Sequence, residues 1–206
     1  YKLRFFPSAL TAALWLNPHE RLMEEIFLAE FVKSGDFIVD VGANIGTISL
    51  ALAKKIEGQG QIYAFEPHPR IYSYLENNIK LNKQNQCILT QCTALGEKAG
   101  TMFFSDKSDD TNNQLGTEGK LKVSIQMLDE VIPNKQPISL LKIDVEGFEY
   151  QVLQGASRVL EQTDFIYLEC IPEMLSLNGG SEEMICDLLL KSGFSIYFVE
   201  KGKLKP

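Results

Sequence analysis

Residues Phe37, Ile38, Val39, Asp40 and Val41 form a short apolar run closed at once by Gly42, with a helix-like segment directly behind it. A run this short, apolar on both faces and stopped by glycine, is the pattern of a parallel strand buried between layers of helices. Parallel strands need crossover segments, and the chain supplies them in turn. A helix is expected over 45–55, then a glycine turn (Gly58, Gly60) into a strand over 61–65. Ile71, Leu75, Ile79 and Leu81 place a helix over 68–82, followed by a strand over 88–94 and a peripheral strand over 101–105. Residues 106–120 are polar and rich in Asn, Asp, Gly and Thr, a loop of the length usually kept for function. An edge strand over 122–125 and a central strand over 139–145 come next, then a helix over 150–160 with Val152, Leu153, Ala156, Val159 and Leu160 inward. A strand over 165–170, an amphipathic helix over 181–191 and a last strand over 194–199 complete the series. The alternation predicts an α/β fold, a doubly wound and mostly parallel sheet with helices on both faces. Ahead of it, Asn17-Pro18 reads as an N-cap and first helical position, opening a helix that Gly35 ends. Residues 1–35 are thus expected to be a helical cap on the same domain, and residues 36–206 the sheet domain.

At 206 residues, 45% hydrophobic and 23% charged, the chain has the composition of one globular domain. Twenty basic against 27 acidic residues leave a net charge of −7, which offers no electrostatic footprint for a polyphosphate backbone, so no nucleic-acid partner is expected. The apolar stretch over 9–16 is too short to span a bilayer and makes a poor signal peptide. Cys87, Cys92, Cys170 and Cys186 contain no CxxC pair, and only His19 and His68 accompany them, so no zinc site is expected. Cys87, Cys92 and Cys170 sit in apolar segments as small hydrophobes, and a reducing, cytoplasmic setting fits best.

In an open α/β sheet the ligand lies beyond the carboxyl ends of the strands. Behind the first strand stand Asp40, Gly42, Ala43, Asn44, Ile45 and Gly46. The spacing is GxxxG rather than the GxGxxG of dinucleotide sites, so no pyrophosphate loop is indicated. Glu66 follows the second strand, where a carboxylate is placed to accept hydrogen bonds from ribose hydroxyls. Asp40 is expected at the mouth of the first turn, facing a cationic or amino-bearing ligand. An acidic pocket repels pyrophosphate and suits a sulfonium with an α-amino group, which points to S-adenosylmethionine rather than NAD.

These residues resemble a known family. Residues 40–46 (DVGANIG), Phe65-Glu66-Pro67 and above all residues 141–149 (LKIDVEGFE) are similar to the FkbM-type methyltransferases, and Leu128-Asp129 and residues 152–156 continue the likeness. The resemblance implies a class I, Rossmann-like methyltransferase fold, S-adenosyl-L-methionine as cofactor, and methyl transfer to a hydroxyl of a sugar, glycan or natural product. It implies that Gly42, Asn44 and Gly46 line the methionine part of the cofactor, that Glu66 holds the ribose, and that Thr93 and Ala94 border the adenine. The usual fold ends in an antiparallel seventh strand. Only residues 201–206 remain for it, so that strand is expected to be short, truncated or missing.

The sulfonium is already activated, so the protein must align the groups and give the hydroxyl proton a route. Asp144 ends the central strand and Glu146 follows two residues on, so both fall at its carboxyl edge. Lys142 shares a face with Asp144 and, in a buried strand, needs a carboxylate partner. Lys142 is therefore expected to pair with a neighbouring carboxylate and orient Asp144 or Glu146, one of which serves as base. The plain alternative is that Asp144 and Glu146 only cap the helix starting near Phe148 and that Glu149 is structural. His68 is expected to be a solvated helix-start residue, and His19 has no assigned role. Glu169 and Glu173 are acceptor-side candidates, as are Asn112 and Asn113 in the long loop. No metal is assigned, although Asp144, Glu146 and Glu169 are the carboxylates that would gather a divalent ion. Trp15, Phe5 and Phe6 either cover the core or mark a partner surface. An oxidoreductase is disfavoured by GxxxG and by the lack of a Tyr-x-x-x-Lys segment. A nucleic-acid N-methyltransferase is disfavoured because Asp144-Val145-Glu146-Gly147 stands where an Asn/Asp-Pro-Pro-aromatic segment belongs. The rival from another class is a non-catalytic binding or scaffolding protein that keeps the fold.

Overall fold

The computed structural model describes residues 1–17, 22–104, 115–116, 121–200 and 203–205. In chain order the elements are α1 (Ala9–Leu16), α2 (Met23–Leu28) with a 3-10 turn (Ala29–Phe31), β1 (Phe37–Val41), α3 (Thr47–Lys55), β2 (Gln61–Phe65), α4 (Pro69–Leu81) and β3 (Ile88–Gln91). Then come β4 (Ala94–Leu95), β5 (Gly100–Phe104), β6 (Leu115–Gly116), β7 (Leu121–Gln126), α5 (Leu128–Val131), β8 (Ile138–Ile143), α6 (Glu149–Gln154) and α7 (Ser157–Glu161). The chain continues through β9 (Thr163–Leu168), α8 (Pro172–Leu177), α9 (Glu182–Lys191), β10 (Phe198–Glu200) and β11 (Lys203–Lys205).

The main sheet has five strands in the order β3-β2-β1-β8-β9, every pair parallel. Strand order reverses between β1 and β8, and that is the switch point where an open α/β sheet makes its crevice. β1 is buried along its whole length, as its apolar run requires. Alternate residues divide the core between two layers. Val39, Val41, Leu141 and Ile143 face α6, α7 and α9, while Ile38, Ile62 and Leu140 face α2, α3 and α4.

Four expectations fail for identifiable reasons. The strand expected over 88–94 is split, because after β3 the chain turns away at Thr93 and β4 joins a second sheet of order β4-β7-β5-β6. In that sheet β7 is an interior strand rather than an edge. The helix expected over 150–160 is two helices, broken at Gly155, where a Cβ would stand 2.0 Å from the Gly96 carbonyl oxygen. Asp129 fixes the start of the second by accepting from the N–H groups of Arg158 and Val159. The strand expected over 194–199 does not join the main sheet; β10 pairs antiparallel with β11. α8 and α1 were unforeseen.

Asn17 is not an N-cap. Ser8 caps α1 by accepting from the Thr11 N–H at 3.2 Å, and the Asn17 N–H ends the helix by donating to the Ala13 carbonyl at 3.0 Å. Pro18 and His19, like Asn112 and Asn113, lie outside the described residues. Ahead of α1 a strap crosses α4. The Lys2 and Arg4 N–H groups donate to the side-chain oxygens of Asn82 and Asn78, each at 2.7 Å. Phe6 is buried against Ile45 and Ile71, edge-on to Tyr74, with the Arg70 guanidinium 5.0 Å above its ring. Phe6 therefore covers core, while Phe5 and Trp15 are exposed.

Candidate active site

The carboxyl ends of β1, β2 and β8 and the start of β4 surround an open cleft. Its lining includes Gly42, Asn44, Glu66, Thr93, Ala94, Asp144 and Glu146, with Val41, Phe65, Pro67, Ile71, Leu95 and Val145 between them. Seven of the ten residues expected to hold the cofactor or act in transfer thus converge. Asp40, Gly46 and Lys142 do not line it, and each has a structural reason.

Gly42 holds a left-handed φ of 78°, and a Cβ there would lie 1.7 Å from the Asp144 carbonyl oxygen. The turn after β1 therefore touches the end of β8, which only glycine permits. Asn44 is also left-handed, at φ 51°, a conformation asparagine tolerates because its side chain bonds locally: Oδ1 accepts from the Ile45 N–H at 2.7 Å. The Asn44 N–H donates to Glu66 Oε2 at 3.0 Å, and the His68 N–H to Glu66 Oε1 at 2.8 Å. Glu66 thus ties the two turns together with both oxygens facing donors. Burial nevertheless pushes its carboxyl up to about 7, against the lowering effect of those N–H groups. Gly46 backs the turn instead of facing the cleft; a Cβ there would meet Leu75 at 2.7 Å.

Asp40 is fully buried beneath the turn, not at its mouth. It is a register partner of Lys142. Ser49 Oγ donates to Asp40 Oδ2 at 2.6 Å, and Lys142 Nζ lies 3.5 Å from Oδ1. Lys142, 2% exposed, donates to the Gly42 carbonyl at 3.0 Å and to Asp144 Oδ2 at 3.2 Å. Burial alone would lower the ammonium's pKa, but Asp144, Asp40 and Glu24 outweigh it and the net direction is upward. Lys142 is a permanent cation that bridges the floor of the cleft to Asp144 on its rim.

Asp144 and Glu146 are not helix caps. α6 starts at Glu149 behind Phe148 with no side-chain cap, and Glu149 Oε1 accepts from the Val145 and Gly147 N–H groups at 3.2 and 3.0 Å. Glu149 shapes the loop that presents Asp144 and Glu146. Glu146 sits at φ 54°, unusual for a non-glycine residue and of the sort held at functional turns. Thr93 Oγ1 donates to the Ser124 carbonyl at 3.0 Å and accepts from Ser124 Oγ at 2.9 Å, so its hydroxyl joins β4 to β7.

His68 is buried rather than solvated, and caps α4 by accepting from the Arg70 N–H at Nδ1. Cys92 is exposed, while Cys87 is buried. Glu169 and Glu173 are exposed, and among the described residues no three His, Cys, Asp or Glu side chains converge as metal ligands would. Sequence reasoning missed Glu24. Its carboxyl is pushed up to about 7 by burial, against Lys142 and with Asp144, Asp40 and Glu169. The signal for it was helical phase, since Glu24 precedes the inward Phe27 and Leu28 by three and four positions. The cleft's lining suits S-adenosylmethionine: carboxylates, apolar walls and, among the described residues, no cationic side chain for a pyrophosphate.

Comparison with known proteins agrees. Residues 40–196 match the family model described as the methyltransferase FkbM domain. The methyltransferase sdnD of Sordaria araneosa is 34% identical in an alignment that covers 60% of this chain and 61% of that protein. The hexuronic acid methyltransferase AglP of Haloferax volcanii is 27% identical over 146 residues, 69% of this chain and 59% of that one. The chain therefore spans about three fifths of the length of these relatives. An S-adenosylmethionine-dependent O-methyltransferase from Thermotoga maritima shares the fold, with TM-score 0.50 and 14% identity over 94% of this chain and 63% of that one. The tRNA (guanine(37)-N(1))-methyltransferase Trm5b of Pyrococcus abyssi is also similar, 35% identical over 65 residues, 32% of this chain and 19% of that one, so the acidic charge alone does not exclude a nucleic-acid acceptor. No described helix is long and apolar enough to cross a membrane. The chain belongs to the FkbM methyltransferase family, whose class I fold and S-adenosylmethionine dependence it shares.

Proposed function

We propose that the protein transfers a methyl group to a hydroxyl oxygen of a sugar, glycan or natural-product acceptor. The observation that carries this reading is the cleft at the β1–β8 switch point, lined by Glu66, Asp144 and Glu146, with the buried Asp40–Lys142 pair behind it. S-adenosylmethionine supplies the activated methyl when bound. Gly42 and Asn44 would take the methionine part, with Gly46 fixing their turn from behind. Glu66 would accept from the ribose hydroxyls. Ala94 would border the adenine, and Thr93 holds that wall in place. Asp144 is the residue we assign to the hydroxyl proton. Lys142 holds its carboxylate in place at the cleft through the 3.2 Å bond. Glu146 would orient the acceptor. The name of the Haloferax relative favours a hexuronic acid or a related sugar. Residues 1–35 would be an extension of the domain formed by 36–206, and the four free cysteines fit a reducing, cytoplasmic setting.

The test begins with calorimetric titration by S-adenosylhomocysteine, with NAD and Glu66→Ala as controls. Micromolar binding of S-adenosylhomocysteine alone, weakened in the variant, is expected. A hydroxyl-acceptor screen led by hexuronic acids then follows. Asp144→Ala should abolish transfer while S-adenosylhomocysteine affinity stays within a few-fold, and retained transfer would refute the base assignment. A folded protein that binds no S-adenosylhomocysteine would move the non-catalytic scaffold ahead.

A further inference from the structure

Asp40, Lys142 and Tyr167 are register partners on the neighbouring strands β1, β8 and β9, so their side chains leave the same face of the sheet. Helix α2 covers that face. The Phe27 ring centroid is 6.1 Å from that of Tyr167, and Leu28 is fully buried in the same layer. Glu24 shares the helix face of Phe27 and Leu28, and its Oε1 is buried with no hydrogen-bond partner among the described residues. Neighbouring Glu25 instead accepts from the Tyr1 hydroxyl. The charged groups around Glu24 are Lys142 and Asp144 from β8 and its end, Asp40 from β1, and Glu169 from β9 beside the Tyr167 phenol. The packed helix α3 carries charge only at Lys54 and Lys55, in its last turn. Glu24 also precedes the segment that matches the family model.

We propose that Glu24 is a positioning residue of the active site, an anionic side chain on α2 that acts through the Asp40–Lys142–Asp144 row to favour the cationic S-adenosylmethionine over the neutral S-adenosylhomocysteine. The inference rests on the methyltransferase reading. With Glu24 ionised, its charge and those of Asp40, Asp144 and Lys142 sum to −2; with it protonated they sum to −1. Its carboxyl, at about 7, changes between these states near neutrality. In the transfer the acceptor oxygen bonds to the methyl carbon, the carbon–sulfur bond breaks with its electron pair kept by sulfur, and the hydroxyl proton leaves to Asp144. Once the proton on Asp144 has passed to solvent, loss of the sulfonium charge raises the proton affinity of Glu24, as linkage requires, so α2 holds a proton preferentially in the S-adenosylhomocysteine complex.

The test needs no acceptor. Affinities for S-adenosylmethionine and S-adenosylhomocysteine are measured by calorimetry across the neutral range in wild type, Glu24→Gln and Glu24→Asp. Ligand titrations and the Glu66 titration are common to all three proteins and cancel on comparison. On the alkaline side, wild type should prefer S-adenosylmethionine about three- to tenfold more than Glu24→Gln does, the scale of one charge in a partly solvated site. On the acid side the two should converge, and Glu24→Asp should keep the wild-type trend. Glu24→Gln copies the neutral form that the native fold already holds near neutrality, so it should fold. Superimposed wild-type and Glu24→Gln profiles would overturn the inference and leave the methyltransferase reading intact. Failure of folded wild type to bind either compound would overturn both.

Discussion

Lys142→Met isolates the buried ion pair. The substitution keeps an unbranched side chain of similar length in a site that is 2% exposed, but removes the ammonium. Asp40, wholly buried, then retains only the Ser49 hydroxyl at 2.6 Å, and the Gly42 carbonyl loses its 3.0 Å donor. Breaking a buried pair from one side costs about 3–5 kcal/mol, because the remaining charge has neither water nor partner. Against a typical domain stability of about 5–15 kcal/mol, that is a large fraction. Adding Asp40→Asn removes the stranded charge, and the double variant should recover at least about 2 kcal/mol of the loss, a coupling expected only between groups in contact. The assay is urea unfolding followed by far-ultraviolet circular dichroism, since the single tryptophan, Trp15, is 72% exposed and reports poorly on the core. A Lys142→Met cost below about 1 kcal/mol, or no recovery in the double variant, would refute the reasoning.

Gly42→Ala should cost more than about 3 kcal/mol or prevent folding, because the added carbon would lie 1.7 Å from the Asp144 oxygen at a φ of 78°. Thermal melting with and without S-adenosylhomocysteine reads both stability and the site. Stability should also fall as pH rises across neutrality. Glu66 and Glu24 sit at about 7 against an ordinary 4.5, so the folded chain binds more protons between those values. Their contribution is fully present below 4.5 and is lost as pH rises through about 7. At about 1.4 kcal/mol per unit, Glu66 accounts for up to about 3 kcal/mol, and the partly exposed Glu24 for less. Urea midpoints that do not fall between about pH 5 and pH 8 would contradict this.

The sheet was legible wherever one physical signal dominated. β1 and β2 are apolar runs closed by Gly42 and by Glu66-Pro67, and their ends fall where the runs end. The cleft followed, because a parallel sheet gathers whatever stands behind its strands. Depth was not legible. Asp40, in β1, and Asn44, in the turn behind it, stand four residues apart, yet pleating turns Asp40 towards Lys142 on the α2 face of the sheet while Asn44 faces the cleft. His68 is expected to be solvated because helix starts usually are, but it is buried, with Phe6 packed on Ile71 in the same first turn of α4. Helical phase puts Glu24 on the face of Phe27 and Leu28, but its charged surroundings come from β1, β8 and β9 and were not legible locally. The breaks at Thr93 and Gly155 depend on contacts with Ser124 and Gly96, distant in the chain.

The strap ahead of α1 gives the order of synthesis a physical consequence. Lys2 and Arg4 leave the ribosome before Asn82 and Asn78, their partners 80 and 74 residues further on. Until α4 has emerged and docked, the aromatic face of Phe6 has nowhere to go, and Ile45 and Ile71, which it covers, stay open to water. Closing so long a loop is slow, so the strap should be the latch of the fold, set after the sheet it secures. During translation the strap is an apolar segment waiting for its seat, the kind that holding chaperones protect.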